Sequence, residues 1–456
     1  MYRRLSLKTE LVISYYFPPS DNVSGIVMSR RIINSNSQVD VITTSDGESF
    51  VDEYVKNRFV IDITHPRNSP KAIFEFIDKG MDIIEKEYET VVSRAWELSN
   101  HFLALVYKLK NPDTYWKAEF SDPVRNDIEN KIKTNDKQRI DNEEFFSYVN
   151  QEIRKLGDFP LLDNLSITFY TIEYLTYLFA DEIIFTNANQ MDIMLGQFPV
   201  DLTDYVSEKA TISPHPTLPQ EYYHKSESEV DLDGDCVNIA YFGEWYYGKR
   251  HFESVFYALD SLNHKFKDKI RVYFFVSNEK LLNDLKVSDN IIVKKTLDYL
   301  TFLNATTKFD ILLVNDMSTK GNWPSNPYLP SKVSDYRGSG TDIWAITEKG
   351  SSLDLLDLRY KSDLYDYSTS VDVLVQILED RGFADKDYTV DDDFYTSRLT
   401  YLNELLEKSY KKNESLKSQN RKLKNENKKL KSQLKQSSSS NDKKIIKALR
   451  KIKNRL

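Results

Sequence analysis

Short apolar runs and amphipathic stretches alternate along most of the chain. The runs Leu11–Phe17, Val39–Thr44, Phe59–Ile63, Thr90–Ala95, Tyr115–Phe120 and Glu182–Thr186 are rich in Val, Ile, Phe and Tyr, which predicts buried strands. Between them, Ala72–Glu85, His101–Lys110 and Ile167–Ala180 carry a helical period. Such alternation predicts a parallel sheet covered on both faces by helices. A second series repeats the pattern: strands at Val237–Phe242, Ile270–Val276, Asn290–Lys294 and Ile311–Val314, helices at His251–Phe266, Glu279–Leu285 and Tyr299–Thr307. The loop-like stretch between the series holds Pro214, Pro216, Pro219 and the polar run Lys225–Asp235. The reading is therefore a first α/β domain at 1–213, a linker at 214–236 and a second α/β domain at 237–393. Residues 123–160 are mostly polar and read as an insertion in the first domain, a partner or acceptor surface. Two such sheets facing each other place a ligand in the cleft at their carboxyl ends.

The C-terminal pattern is of another kind. Leu416, Leu423 and Leu430 recur every seven residues, with Asn413, Asn420 and Asn427 three positions before them. Leu399, Leu406 and Leu434 extend the Asn register, and Leu402 the Leu register. This is a heptad with Leu at d and Asn at several a positions, predicting a coiled coil over 394–436 that joins copies of the chain, as a dimer rather than a trimer. A solvated lone helix is the alternative. Ser437–Ser440 break the helix. In 441–456, Ile445, Leu449, Ile452 and Leu456 form one stripe. Lys443, Lys444, Lys447, Arg450, Lys451, Lys453 and Arg455 take mainly the other faces. A basic amphipathic helix of this length suits an anionic membrane surface. Without interleaved aromatics to stack bases, nucleic acid is the poorer partner.

Charge sharpens this division. The net charge is −8, yet 441–456 carry +6 and 401–436 carry +7, leaving −21 on the body. The tail, not the body, is the part built to meet an anionic surface. The single cysteine, Cys236, forms no internal staple and fits a reducing compartment. Leu11–Phe17, preceded by Glu10 and stopped by Pro18-Pro19, reads as a first strand rather than an export signal. No apolar run approaches the roughly 20 residues of a membrane span. The expected location is the cytoplasmic face of a membrane.

Candidate chemistry clusters where strands end. Ser14-Tyr-Tyr-Phe-Pro-Pro19 is followed by Ser24-Gly25, and Trp116–Phe120 leads to Asp122-Pro123. Ala180–Thr186 forms a late strand, and Ile239–Gly243 is followed by Gly248-Lys249-Arg250. Leu329–Tyr336 includes Lys332 and Asp335 and is followed by Gly338 and Gly340. In order and spacing these strings resemble the GT-B glycosyltransferases, especially family-4-like enzymes of bacterial surface polysaccharide and wall polymer synthesis. The resemblance covers residues 11 to about 370. It implies two Rossmann-like domains facing a cleft, the first holding an acceptor and the second a nucleotide-sugar donor, with no metal cofactor. It also implies a UDP-sugar as co-substrate and retention of the sugar's α configuration.

Each residue also has a physical reading. Gly25, between a strand and a helix, would let backbone N–H groups approach a phosphate; a plain tight turn is the alternative. Gly243 ends the first strand of the second domain and joins the donor-site set. Lys249 and Arg250 would neutralise a leaving diphosphate, unless they merely begin a solvated helix. A cation such as Lys332 is unfavourable in the first turn of a helix, and an anion beside it would account for it. Asp335 would accept hydrogen bonds from a ribose, as the resemblance implies, or simply complement the helix terminus. Asp122 would bind or deprotonate an acceptor hydroxyl, or form a turn. His101, on the cleft side after a strand, is placed near the transferred sugar by the resemblance. His215, between two prolines, reads as structural. So do the acidic clusters Asp231–Asp235 and Asp391–Asp393, because the first lacks a calcium loop's twelfth-position Glu, where Phe242 stands. The sequence departs from the resemblance at one point. Of two Glu expected with seven residues between them, Asp335 matches the second, but Pro327, eight positions before it, stands in place of the first, in a divergent loop Asn322–Pro330. The expected function is transfer of a hexose to a surface polymer, such as a teichoic acid or capsular polysaccharide, or to a lipid-linked acceptor. A protein O-glycosyltransferase and a non-catalytic scaffold are the rivals.

Overall fold

The computed structural model describes residues 9–133, 138–163, 166–243, 252–277 and 289–384, with Lys417 and Lys422 beyond them. Lys417 and Lys422 are helical and exposed. The predicted coiled coil and basic terminal helix otherwise lie outside the described residues. No described helix is long and apolar enough to cross a membrane.

The first described sheet has seven strands, all parallel: β1 (Glu10–Ile13), β2 (Val39–Thr43), β3 (Val55–Val60), β4 (Thr90–Arg94), β5 (Tyr115–Phe120), β6 (Glu182–Phe185) and β7 (Ala210–Ile212), in the order β3-β2-β1-β4-β5-β6-β7. Its helices are α1 (Val23–Ser35), α2 (Pro70–Ile83), α3 (Leu98–Lys110), α4 (Glu143–Leu156), α5 (Thr168–Phe179), α6 (Ala188–Leu195) and α7 (Val200–Ser207). The second sheet has six described strands, again all parallel: β8 (Val237–Phe242), β9 (Ile270–Val276), β10 (Ile291–Lys295), β11 (Ile311–Asn315), β12 (Asp342–Thr347) and β13 (Tyr360–Asp363), in the order β10-β9-β8-β11-β12-β13. It carries α8 (Glu253–Ser261), α9 (His264–Lys267), α10 (Tyr299–Thr306), α11 (Lys332–Ser339) and α12 (Tyr367–Asp380). In both sheets the order reverses beside the first strand, a switch point where loops on two sides splay apart and leave a crevice.

The sequence pattern and the fold differ in several places, among them β3, which spans Val55–Val60 rather than the expected Phe59–Ile63. The first strand stops at Ile13, because Ser14 onward turns into the loop before α1. Residues 123–160 are not a purely polar surface. Phe145, Phe146, Val149 and Ile153 of α4 are buried, with Phe145 against Phe74 at 5.4 Å and Phe102 at 6.0 Å between ring centroids. Their i, i+1, i+4, i+8 spacing puts one apolar stripe on an otherwise charged helix. Nor is the linker a plain loop. Gln220–His224 form a 3-10 turn that buries Tyr222 and Tyr223 in an apolar cluster with Met28, Ile32 and Leu303, drawn from both domains.

Gly25 sits in the first turn of α1 with no positive φ. A Cβ there would lie 2.5 Å from the Tyr16 carbonyl oxygen and 3.0 Å from the Phe17 Cα. The missing side chain is needed by the chain's own backbone. Gly25→Ala is expected to lower unfolding stability by about 1–3 kcal/mol, because backbone cannot step aside as a side chain can. A denaturant midpoint equal to the parent's would refute this packing.

Candidate active site

A cavity of ≈ 170 Å³ lies where the two sheets' switch points meet. The second domain supplies an apolar wall of Phe242, Phe275, Leu297 and Phe302, and a polar rim of Thr296, Ser331, Lys332 and Asp335. The first domain closes it with Asp21 and with Val23, Ile26 and Arg30 of α1. Three residues read from the sequence as donor-binding, Gly243, Lys332 and Asp335, therefore meet in one place. Gly25 is not among the lining residues; its helix neighbours are.

Gly243 and Lys332 are coupled. Gly243 has φ +138°, and a Cβ there would fall 2.2 Å from Lys332 Cε and 2.3 Å from its Nζ. The lysine chain crosses the backbone just past the end of β8, with its ammonium 5.6 Å from the centre of the Tyr241 ring. Only glycine leaves that path open. The first turn of α11 thus brings a cation to the cavity wall.

Asp335 does not present an open carboxylate to a ribose. One oxygen accepts from Tyr299 at 2.9 Å and the other from Arg30 of the first domain at 3.0 Å. Its carbonyl accepts from the Tyr223 hydroxyl at 2.6 Å. Arg30 and Asp335 are both buried, with side chains 2% and 6% exposed. Burial pushes the Asp335 carboxyl up, and Arg30 pulls it back down. The carboxylate joins the domains as it reaches the cavity wall.

The divergent loop between β11 and α11 is a second crossing. The Trp323 indole donates to the Ile128 carbonyl at 2.9 Å, and Asn130 donates to the Asn322 carbonyl at 2.9 Å. Asn187 donates to the Pro327 carbonyl at 2.9 Å, and Asn189 to that of Asn326 at 3.0 Å. Within the loop, Asn326 is held by Glu348 and by the Met317 carbonyl. The loop is thus a strap fastened to the first domain, with Pro327 where the resemblance implies a carboxylate.

Under this strap lies Asp122, just past β5. Among the described residues no hydrogen bond reaches its carboxylate. Burial raises its pKa, while Arg94 and Lys133 lower it. The Tyr328 phenol of the strap feels the same carboxylate, which together with burial lifts its own pKa. Arg94 is fixed by Glu119 at 3.0 Å and by Ser24 at 3.2 Å, and Arg31 takes the other Glu119 oxygen at 2.8 Å. Burial alone would raise Glu119, but the two arginines hold it at about 2. The result is an anchored cation beside a carboxylate with no hydrogen-bond partner.

His101 belongs elsewhere. It is 0% exposed within α3, edge-on to Trp116 and Phe120, with Nδ1 2.8 Å from the Ser93 hydroxyl. Burial lowers its pKa to about 3, so it stays neutral. It is a core residue, and the expectation of a cleft-side histidine is corrected: its position on α3 faces the sheet. His215 is also buried, and its carbonyl accepts from Ser334 at 2.6 Å. Sequence reasoning missed Arg30, Tyr328 and Glu97. Glu97 follows β4, is buried beside Arg67 at 2.7 Å, and burial raises its carboxyl to about 7. An acidic residue between the apolar Trp96 and Leu98 was the available signal. Lys249 and Arg250 lie outside the described residues. Among the described residues no group of three His, Cys, Asp or Glu could hold a metal ion. Asp233, from the first acidic cluster, pairs with Arg271 at 3.1 Å and caps its own turn.

No protein-family model matches the sequence, and no curated protein does. Solved structures match in shape. HepE of Anabaena, solved with UDP and glucose, aligns with a TM-score of 0.51 at 9% identity, over 82% of this chain and 90% of that one. The fold is of the GT-B type. WaaG, a glycosyltransferase involved in lipopolysaccharide biosynthesis, aligns at 0.46 and 10% identity, over 81% and 91% of the two chains. A UDP-N-acetylglucosamine 2-epimerase aligns at 0.46 and 12%, over 86% and 95%. At these identities the likeness is one of fold.

Proposed function

We propose that the chain is a glycosyltransferase that moves a hexose-type sugar from a UDP-sugar to a surface polymer or lipid-linked acceptor. The observation that carries this reading is the cavity at the paired switch points, where Gly243 opens a path for Lys332 and an apolar wall faces it. A base and ribose would lie on the wall, and the diphosphate against Lys332 and the first turn of α11. The UDP in the HepE structure supports this class of donor. Lys332, joined by Lys249 and Arg250 as read from the sequence, would stabilise the departing diphosphate. Asp122, across the cleft, would take the acceptor hydroxyl's proton. The resemblance implies retention of configuration, whereas a base on the acceptor side fits inversion; the anomeric configuration of the product decides. The coiled coil and basic helix would gather copies of the enzyme on an anionic membrane, raising the local concentration of acceptor.

Titration with UDP tests the donor site. Lys332→Ala is expected to weaken UDP about 10- to 100-fold, the worth of one charge-assisted contact, and to leave uridine little changed. Unchanged UDP affinity would remove Lys332 from the donor site. A parent chain that binds neither UDP nor any UDP-sugar would favour the scaffold reading.

A further inference from the structure

A second concavity, of ≈ 970 Å³, opens on the first domain between the loop after β3, the first turns of α2 and the segment before α4. Its size is at the upper end of ordinary ligand pockets, about 300–1,000 Å³, and suits several linked sugar rings better than one. It lies beyond the carboxyl end of β3, on the same carboxyl-end side of the sheet as Asp122 beyond β5, with β2, β1 and β4 between them. A polymer leaving the cleft across those strand ends would reach it.

One wall of this groove is fixed in advance. Glu75 accepts from the Thr64 N–H at 3.1 Å, the Thr64 hydroxyl at 2.9 Å and Lys79 at 2.9 Å, and its other oxygen lies 2.7 Å from His65 Nδ1. These bonds clasp the loop after β3 onto α2, so binding need not order it. The charges then define what the groove can hold. Lys71, Lys79 and Arg139 stand against Glu75, Asp78 and Asp141, a formal charge of zero. Lys71, Asp78, Arg139 and Asp141 are exposed. Phe74 contributes an aromatic surface and Asn142 an amide. Donors and acceptors lining one groove with an aromatic ring match vicinal hydroxyls, which give and accept hydrogen bonds at once. A polyphosphate would gain no net attraction here and would meet three carboxylates.

We infer that this groove is an acceptor subsite for a neutral oligosaccharide chain. The inference rests on the glycosyltransferase reading and narrows its acceptor, away from the teichoic-acid type and toward uncharged glycan.

The test uses the full chain. Linear neutral hexasaccharides of glucose, galactose, mannose and N-acetylglucosamine, in α- and β-linked forms, are titrated beside poly(glycerol phosphate), with UDP titrated in parallel. At least one neutral hexasaccharide is expected to bind, with an affinity unchanged between about 0.05 and 0.5 M salt. The double variant Asp78→Ala/Arg139→Ala is expected to weaken that binding at least about five-fold, the worth of a hydrogen bond or two, with UDP affinity and thermal stability kept. The inference is overturned if no neutral hexasaccharide binds, if only poly(glycerol phosphate) binds, or if the double variant binds the hexasaccharide as the parent does. Loss of UDP binding by the parent chain is a different failure, and counts against the donor site instead.

Discussion

Asp122→Asn is expected to lower the rate of sugar transfer by about 10²–10⁴-fold while leaving UDP affinity within error of the parent. The substitution keeps the size of the side chain and removes its capacity to accept a proton. The reason to choose this carboxylate is its surroundings. Glu119 is fully engaged by two arginines, Asp335 by Arg30 and Tyr299, and Asp316 by Ser351 and the Glu348 N–H. Asp122 accepts no hydrogen bond among the described residues, yet sits near Arg94, Lys133 and Tyr328. Burial raises its pKa against those two cations. A base must be ionised to act, so the acid limb of kcat/KM should lie above the ordinary carboxylate range. Lys133→Ala removes a cation that favours the ionised form, and should move that limb to higher pH. Glu97→Gln is the control, because Glu97 is a buried carboxyl that follows the neighbouring strand β4 and is held up to about 7. If Glu97→Gln abolishes transfer and Asp122→Asn does not, the base has been assigned to the wrong strand end.

How much of this was legible in the sequence depends on how local each feature is. Continuous apolar runs and helical stretches marked both sheets, because burial on two faces writes itself as unbroken Val, Ile and Phe. Missed were β7, β12 and β13. β7 is three residues long, and β12 opens on Asp342 directly after the Gly340 turn. Gly243, Lys332 and Asp335 were found as separate signals and meet in one cavity. What spacing could not show was partnership across the domains. Arg30 and Asp335 are 305 residues apart, and Asn187 and Pro327 are 140 apart. Nothing local announces either contact. The same limit misplaced His101, because a polar residue early in a helix after a strand can face the cleft or the core. Only the packing of Trp116 and Phe120 settles which. Gly25 was recognised as needing to be glycine, but the atom it accommodates is the Tyr16 carbonyl oxygen.

Removing one partner of the Arg30–Asp335 pair is expected to cost about 3–5 kcal/mol of unfolding stability, the range for a buried ion left alone. The pair is buried, and its one open side is the cavity wall. Tyr299 donates to Asp335 and lies 5.8 Å under the Arg30 guanidinium, Arg30 also donates to the Pro216 carbonyl at 3.3 Å, and the Tyr223 hydroxyl fills the space that a side chain at Gly338 would need. Asp335→Ala therefore leaves a buried guanidinium without its carboxylate while the domains stay together. Replacing both charges, as in Arg30→Met/Asp335→Leu, should cost much less than the sum of the single changes, since neither ion is then left unpaired. Urea unfolding of the four proteins measures this coupling. The outcome also bears on function. A small cost for Asp335→Ala, under about 1 kcal/mol, would mean that Arg30 escapes to solvent when its partner is lost. The two domains would then part readily at this contact, and the cleft would open by breaking the pair. The full cost would mean instead that the domains stay joined at α1 and α11, so that donor entry depends on movement elsewhere around the cavity, at the strap or along its Asp21 and Thr296 rim.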